Sequence, residues 1–280
     1  MPNISETLKQ AAATLQASGI TEAAREAKSL LAFVLNKNQT FLYAHPEYEL
    51  SDDDKNQFQS VLERRAKREP FQYIVGAQEF CGLDFEVTKD VLIPRPETEL
   101  IVEAAIEISK EEARFCEVGI GSGCVAVSIL QAVKTATAIG LDVSERALAV
   151  AEKNAKTQGV RERLELKISD VFDNLREEKF DFIVSNPPYI SGEEMKTLQP
   201  EVREYEPLVA LTDGINGLSI IEKIIKNAPN FLKSDGFLLL EIGFNQAGKV
   251  AEMFDKNIWR EFEILPDLQA ILRTVKAQKK

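Results

Sequence analysis

The chain has 280 residues, 44% hydrophobic and 28% charged, a composition typical of a globular protein and enough length for one large domain or a large one with a small one. Its net charge is −11, and residues 1 to 72 hold 9 Lys+Arg against 10 Asp+Glu, so nearly all the excess acid lies beyond them. A basic face for gripping a phosphate backbone is therefore not expected, and no run approaches the roughly 18 apolar residues of a membrane span.

The first 70 or so residues read as helices only. In ISETLKQAAATLQASG, Leu8, Ala11, Ala12 and Leu15 recur at helical spacing, and Gly19 is a natural stop. TEAAREAKSLLAFVLN repeats the pattern through Ala27, Leu30, Leu31 and Val34. SDDDKNQFQSVLERRAKREP has Ser51 as a cap, acids in its first turn and bases before Pro70, an order that suits the helix dipole at both ends. The basic run RRAKR is read here as a solvated helix C-terminus rather than a nucleic-acid patch.

From Tyr73 to Ile93 the texture changes. β-prone pieces separated by Gly76 and Gly82 predict a hairpin or short extended linker. IPRPETELIVEAAIEISK then opens a helix, with Pro96 in its first turn and Glu97 and Glu99 at its positive end. Beyond residue 113 strands and helices alternate. ARFCEV, TATAIGLD, LELKISD, FDFIVSN and GFLLLEIG read as strands, and the last 22 or so residues as a terminal hairpin. Such alternation predicts a parallel sheet covered by helices on both faces, with ligands beyond the carboxyl ends of its strands.

Several strand ends carry suggestive residues. Glu117, Gly119, Ile120, Gly121, Ser122 and Gly123 form an acid followed by GxGxG, with Cys124 where a dinucleotide fingerprint would need its third glycine. An acid beside the loop repels a pyrophosphate and attracts a cation, which points to S-adenosylmethionine, a sulfonium without phosphate. Asp142 ends the next strand, where a carboxylate can accept both hydroxyls of a ribose. Asp170 ends the third, placed to accept from an adenine amine, with Val171 beside the ring. The fourth ends in SNPPYI. Two prolines stop a strand abruptly, and the residue before them is held extended. Asn186 and the Pro187 carbonyl can then accept the two hydrogens of a planar nitrogen, while the Tyr189 ring covers one face.

The remaining signals are mostly exclusions. Cys81, Cys116 and Cys124 form no CxxC pair, which argues for a reducing, cytoplasmic setting. His45 is the only histidine and sits in the polar stretch AHPEYEL, so it reads as a surface residue and no metal site is expected. The opening MPNISETLKQ lacks a basic region followed by an apolar one, so no secretory signal is expected.

With IPRPETE, EVGIGSG, GLDVS, SNPPYI, YEPLVAL and DGINGL in one order, the chain closely resembles the HemK-type release-factor glutamine methyltransferases over nearly its full length. The resemblance implies an α/β fold. Its Rossmann-like S-adenosylmethionine-dependent domain would carry a seven-stranded, mostly parallel sheet with a terminal antiparallel hairpin, behind a small all-α domain. The implied division is a helical substrate-docking domain over residues 1–72, a linker over 73–93 and the methyltransferase domain over 94–280. The implied activity is methylation of the glutamine amide in the Gly-Gly-Gln motif of peptide chain release factors, by a monomer that binds no nucleic acid stably and no membrane. Alternatives are a ribosomal-protein glutamine or a nucleic-acid base. Matched residues assign Gly119 to Gly123, Asp142, Val171 and Asn186 to the cofactor, and Asn186, Pro187, Pro188 and Tyr189 to the glutamine. Val171 stands where some relatives carry a large aromatic. Glu97 reads as helix-start support, and Arg95 as either a domain-interface or a substrate contact. EPLVAL and DGINGL could shape a substrate channel, while turn formation alone equally explains Asp213, Gly214 and Gly217.

Overall fold

A computed structural model describes residues 3–280 and divides into two compact units, one comprising residues up to Ala77 with Gln199–Tyr205, the other Gln78–Leu198 with Glu206–Lys280. The first unit is helical: α1 (Ile4–Ala17), α2 (Ala23–Val34), α3 (Gln39–Ala44), α4 (Asp52–Ala66) and α5 (Phe71–Val75). Ala27, Leu30 and Leu31 of α2 are fully buried against Leu15 of α1 and Leu62 of α4. Ser51 caps α4, accepting from the Asp54 amide while the Asp54 carboxylate accepts from the Ser51 amide, a reciprocal capping box.

The basic run at the end of α4 is solvated only in part: Arg64 and Lys67 are exposed, but Arg65 is not, contrary to expectation. Arg65 is 5% exposed. It pairs with Glu26 of α2 and, at 3.0 Å, with Glu201, which also binds Arg68 at 2.7 Å. Acids this far away in sequence answer the run from within the unit, and no local pattern discloses them.

The second unit starts with the hairpin of β1 (Ala77–Phe80) and β2 (Leu83–Glu86), then α6 (Glu99–Ile108), which a short 3₁₀ turn over Pro96–Thr98 precedes. There follow β3 (Arg114–Val118), α7 (Cys124–Ala132), β4 (Thr137–Asp142), α8 (Glu145–Thr157), β5 (Leu164–Ile168) and β6 (Phe180–Ser185). The segment α9 (Pro200–Tyr205) belongs to the helical unit. After it come α10 (Leu208–Leu211), α11 (Ser219–Asn227), β7 (Leu232–Glu241), α12 (Ala247–Glu252), β8 (Trp259–Pro266) and β9 (Leu272–Lys279).

The large sheet has strand order β5-β4-β3-β6-β7-β9-β8. The first five strands are parallel, and β9 runs antiparallel to both β7 and β8, the expected terminal hairpin. Strands buried on both faces alternate their side chains between two cores. Phe115, Ala138, Phe182 and Leu239 join α6, α7 and α8 on one face, while Cys116, Ile139, Ile183 and Leu240 join α11 and α12 on the other. Phe115 and Phe182 are register partners and stack with centroids 4.8 Å apart. The strand order reverses between β3 and β6, and that crevice is where an open α/β sheet receives a ligand. Among the described residues no helix is long and apolar enough to cross a membrane.

Candidate active site

Beyond the carboxyl ends of β3, β4, β5 and β6 lies a cavity of about 170 Å³, lined by the Gly119–Ser122 loop and by Glu117, Asp142, Asp170, Val171, Asn186 and Pro188 among others. The residues singled out from the sequence thus converge, except that Gly123, Pro187 and Tyr189 do not themselves line the wall.

The loop after β3 is held by its own chain. The amides of Gly119 and Ile120 donate to the Leu141 carbonyl at 2.8 and 2.9 Å, and that of Gly123 to the Ile120 carbonyl at 2.8 Å. The Gly121 amide donates to Asp142 Oδ2 at 2.9 Å. A phosphate-binding loop works by turning such N–H groups towards the anion; here those four are already committed. Gly123 lies at φ +81°, and a Cβ there would stand 3.2 Å from the Ala151 side chain, so only glycine lets α7 close onto α8. Gly140 of β4 makes a socket: a Cβ would fall 2.2 Å from Ile120 Cδ1. Ile120 is therefore anchored in the core, and its loop is set at a fixed height above the sheet.

Glu117 is 2% exposed, and its Oε2 accepts from the Ala126 amide in the first turn of α7 at 2.8 Å. The protein's own carboxylate thus occupies the helix terminus where an anion would otherwise sit. Burial, with a smaller contribution from Asp142, pushes the Glu117 pKa well up. Asp142 is raised for the same first reason, opposed by the Gly121 and Ser144 amides that bind it. Two carboxyls strained by burial favour a cationic guest. Val171 is buried at φ +54°, an outlier for a β-branched residue, at a strain of about 1–3 kcal/mol. Asp170, by contrast, is mostly exposed and ion-pairs with Lys223 at 2.9 Å.

Strand β6 delivers the Asn-Pro-Pro-Tyr segment. The Ser185 hydroxyl donates to the Val118 carbonyl at 2.7 Å, locking the ends of β6 and β3 together. Asn186 Nδ2 donates to Thr98 Oγ1 at 3.1 Å. Tyr189 is held from three sides. Its hydroxyl donates to Glu241 Oε1 at 3.1 Å, its carbonyl accepts from Gln246 Nε2 at 2.9 Å, and a Cβ on Gly217 would strike that carbonyl at 2.1 Å. Gly217 thus serves close approach as well as the turn that Asp213 holds together. The Asp213 carboxylate accepts from the Ile215, Gly217 and Ser219 amides and from the Ser219 hydroxyl.

Arg95 ion-pairs with Glu206, whose other oxygen accepts from the Ile93 amide at 3.2 Å. IPRPETE and EPLVAL are thereby tied together, and both supply cavity wall. The sequence reading did not single out Thr98 or Glu241. Glu241 did leave a signal, as an acid ending an apolar strand on the same sheet edge as the residues that were chosen. Thr98 left none.

A PrmC N-terminal domain model matches residues 6–76, and a Methyltransferase small domain model matches residues 97–202. A release factor glutamine methyltransferase of Geobacter sulfurreducens is 42% identical over 242 residues, 86% of this chain and 84% of that one. Another, of Cereibacter sphaeroides, is 42% identical over 98% of this chain and 97% of its own. The chain belongs to the release factor glutamine methyltransferase family. The fold agrees with this membership. A methyltransferase from Pyrococcus furiosus superposes with a TM-score of 0.55 over 77% of this chain and 98% of its own, at 17% identity. For the family's cavity in this chain, the committed loop amides and buried acids fit a cationic cofactor and disfavour a dinucleotide. Among the described residues no group of three or more His, Cys, Asp or Glu is arranged to hold a metal.

Proposed function

We propose that the chain transfers the methyl group of S-adenosylmethionine to the side-chain amide nitrogen of the glutamine in the Gly-Gly-Gln motif of peptide chain release factors. The observation that carries this reading is the Asn186 carboxamide, tethered through its NH₂ to Thr98 on the wall of an acid-lined cavity that also takes in the glycine loop. Gly119–Gly123, Glu117, Asp142, Asp170 and Val171 would hold the cofactor. Asn186, Pro187, Pro188 and Tyr189 would hold the glutamine. The Asn186 oxygen and the Pro187 carbonyl accept the two amide hydrogens, and this fixes the nitrogen's plane. When bound, the cofactor would supply an activated methyl group on a sulfonium, and the amide nitrogen that accepts it would release its proton to solvent.

No strong base is required for this. Orientation alone is worth on the order of 7–11 kcal/mol in favourable cases. Tyr189 stays neutral, because burial and then Glu241 hold its pKa above the ordinary phenol value. The test is methyl transfer from labelled cofactor to purified release factor, with mass spectrometry of the Gly-Gly-Gln peptide. The expected result is one added methyl on the glutamine, absent when that glutamine is alanine. Label on the alanine variant, or on ribosomal protein or nucleic acid instead, would overturn the reading.

A further inference from the structure

Where the Asn-Pro-Pro-Tyr segment ends, three stretches of chain meet. The backbone after Tyr189 runs beside the 211–217 loop: the Ile190 amide donates to the Leu211 carbonyl at 3.0 Å and the Gly192 amide to the Ile215 carbonyl at 3.3 Å. The third stretch is the turn after β7, from Gly243 to Gln246. One side chain bonds all three. Gln246 Oε1 accepts from the Gly243 amide at 2.8 Å, and its Nε2 donates to the Tyr189 carbonyl at 2.9 Å and the Gly217 carbonyl at 3.1 Å.

The Gly243 amide settles the sense of this carboxamide. A backbone N–H can only donate, so the oxygen of Gln246 faces Gly243 and its NH₂ faces the two carbonyls. A side chain that merely closed its own turn would need the Gly243 bond alone. The other two bonds reach residues 57 and 29 positions away, and the shorter of them ends on Tyr189. The Tyr189 ring has little slack of its own. Its hydroxyl donates to Glu241, and a Cβ on Gly243 would stand 3.1 Å from Tyr189 Cδ2. The ring is thus laid against Gly243, while the side chain that braces the Gly243 turn also holds the Tyr189 backbone. Neither Gln246 nor Tyr189 lines the cofactor cavity.

We infer that Gln246 is a positioning residue for methyl transfer, which fixes the Tyr189 backbone and so sets the ring against the face of the acceptor amide. This rests on the proposed amide methylation. Without the two donors the Tyr189 carbonyl is released from the turn, and fewer bound amides are held in the productive plane. Cofactor binding, built from other residues, is left as it was.

The experiment compares wild type with Gln246→Met, which keeps the length and removes all three bonds, and Gln246→Glu, which keeps the acceptor and removes both donors. Tyr189→Ala and the Gln246→Met/Tyr189→Ala double variant complete a cycle. Folding is followed by thermal melting, cofactor binding by calorimetry and turnover on release factor by labelled methyl transfer. Gln246→Met is expected to lose about tenfold to a hundredfold in kcat, with the cofactor Kd within about threefold of wild type. Because Gln246 acts through Tyr189, the double variant should lose no more than Tyr189→Ala alone. In Gln246→Glu a carboxylate would face two carbonyls, which raises its pKa above the ordinary glutamate value of about 4.3. Its kcat relative to wild type should therefore climb as pH falls from about 7 to 5, because the protonated carboxyl regains one donor. A folded Gln246→Met with wild-type kcat overturns the inference, as do a cofactor Kd that weakens in step with kcat and losses that multiply in the double variant. Should Gln246→Met fail to fold, a flat relative pH profile for Gln246→Glu overturns it equally. A wild type that methylates no release factor instead sinks the proposed function, a separate outcome visible before any variant is made.

Discussion

Gly140→Ala tests whether the cofactor loop is held at its height by the socket in β4. Gly140 does not occupy the left-handed region, so the backbone tolerates alanine and only packing is at stake. The added Cβ would lie 2.2 Å from Ile120 Cδ1 and 3.0 Å from Leu166 Cδ2. Overpacking of this kind costs about 1–3 kcal/mol, and for a body of this size each 1 kcal/mol lowers Tm by about 2–4 °C. Ile120→Val removes the atom in conflict and alone costs about 0.5–1.5 kcal/mol. If the socket is real, the Gly140→Ala/Ile120→Val double variant recovers most of the Gly140→Ala loss, with a coupling of roughly 1–2 kcal/mol, inside the usual range for touching residues. Denaturant titration gives the stabilities, and cofactor Kd by calorimetry gives the functional reading. Gly140→Ala alone should weaken binding because Ile120 is driven up into the loop, and the double variant should restore it. Additive stabilities, or a Gly140→Ala protein that binds cofactor like wild type, would refute the reasoning.

Glu117→Gln keeps an acceptor for the Ala126 amide but removes a buried charge whose raised pKa makes the folded state bind its proton more tightly than the unfolded chain. That contribution is present at low pH and lost as pH rises, so the variant should melt above wild type at pH 7–8, the gap closing on acidification. Its cofactor Kd should weaken by about tenfold. Asp213 is held at about 2, where burial is outweighed by the Ser219 hydroxyl and the surrounding amides. Its stabilisation is full above the unfolded value and fades as pH falls through about 2, so the melting difference between wild type and Asp213→Asn should be largest near neutrality and shrink between pH 4 and 2. Asn186→Ala should bind cofactor but lose about 10²–10³-fold in kcat, the usual effect of deleting one oriented hydrogen-bonding group at a reacting centre. A release factor whose motif glutamine is replaced by glutamate should be neither methylated nor a competitor, since its carboxylate would meet two acceptors.

The strand ends were legible because parallel strands announce themselves as apolar runs and their carboxyl ends share one edge. Asp142, the glycine loop and Asn186 could therefore be brought together on paper. Helices α3, α5, α9, α10 and α12 were not foreseen; at four to six residues they are too short to show a period. Glu26 and Glu201 could not be matched to Arg65 because an ion pair between acids and bases so far apart in sequence leaves no periodic trace. Thr98 was invisible for a related reason. A threonine in a proline-rich turn looks like a cap, and only its place beneath Asn186 gives it a role. Glu117 could be picked out as an acid at the end of β3 beside the glycine loop. The seat of its carboxylate on the first turn of α7 required the fold.

The two prolines after β6 make sense against this background. β6 is a central strand, with β3 on one side and β7 on the other, and a segment leaving it would ordinarily be free to bend as soon as pairing stops. Here its first residue is pinned towards β3 by the Ser185–Val118 bond, and its last is pinned towards β7 by Glu241, Gln246 and the close approach of Gly217. Between the pins, Pro187 and Pro188 have fixed φ and no N–H, so the span has little freedom and offers no donor from these two residues. On the proposed function, an amide nitrogen entering beside Asn186 would consequently meet acceptors whose positions were fixed before it arrived. The entropy that a flexible loop would lose on binding was surrendered at folding, and this is the physical condition under which orientation can stand in for a base.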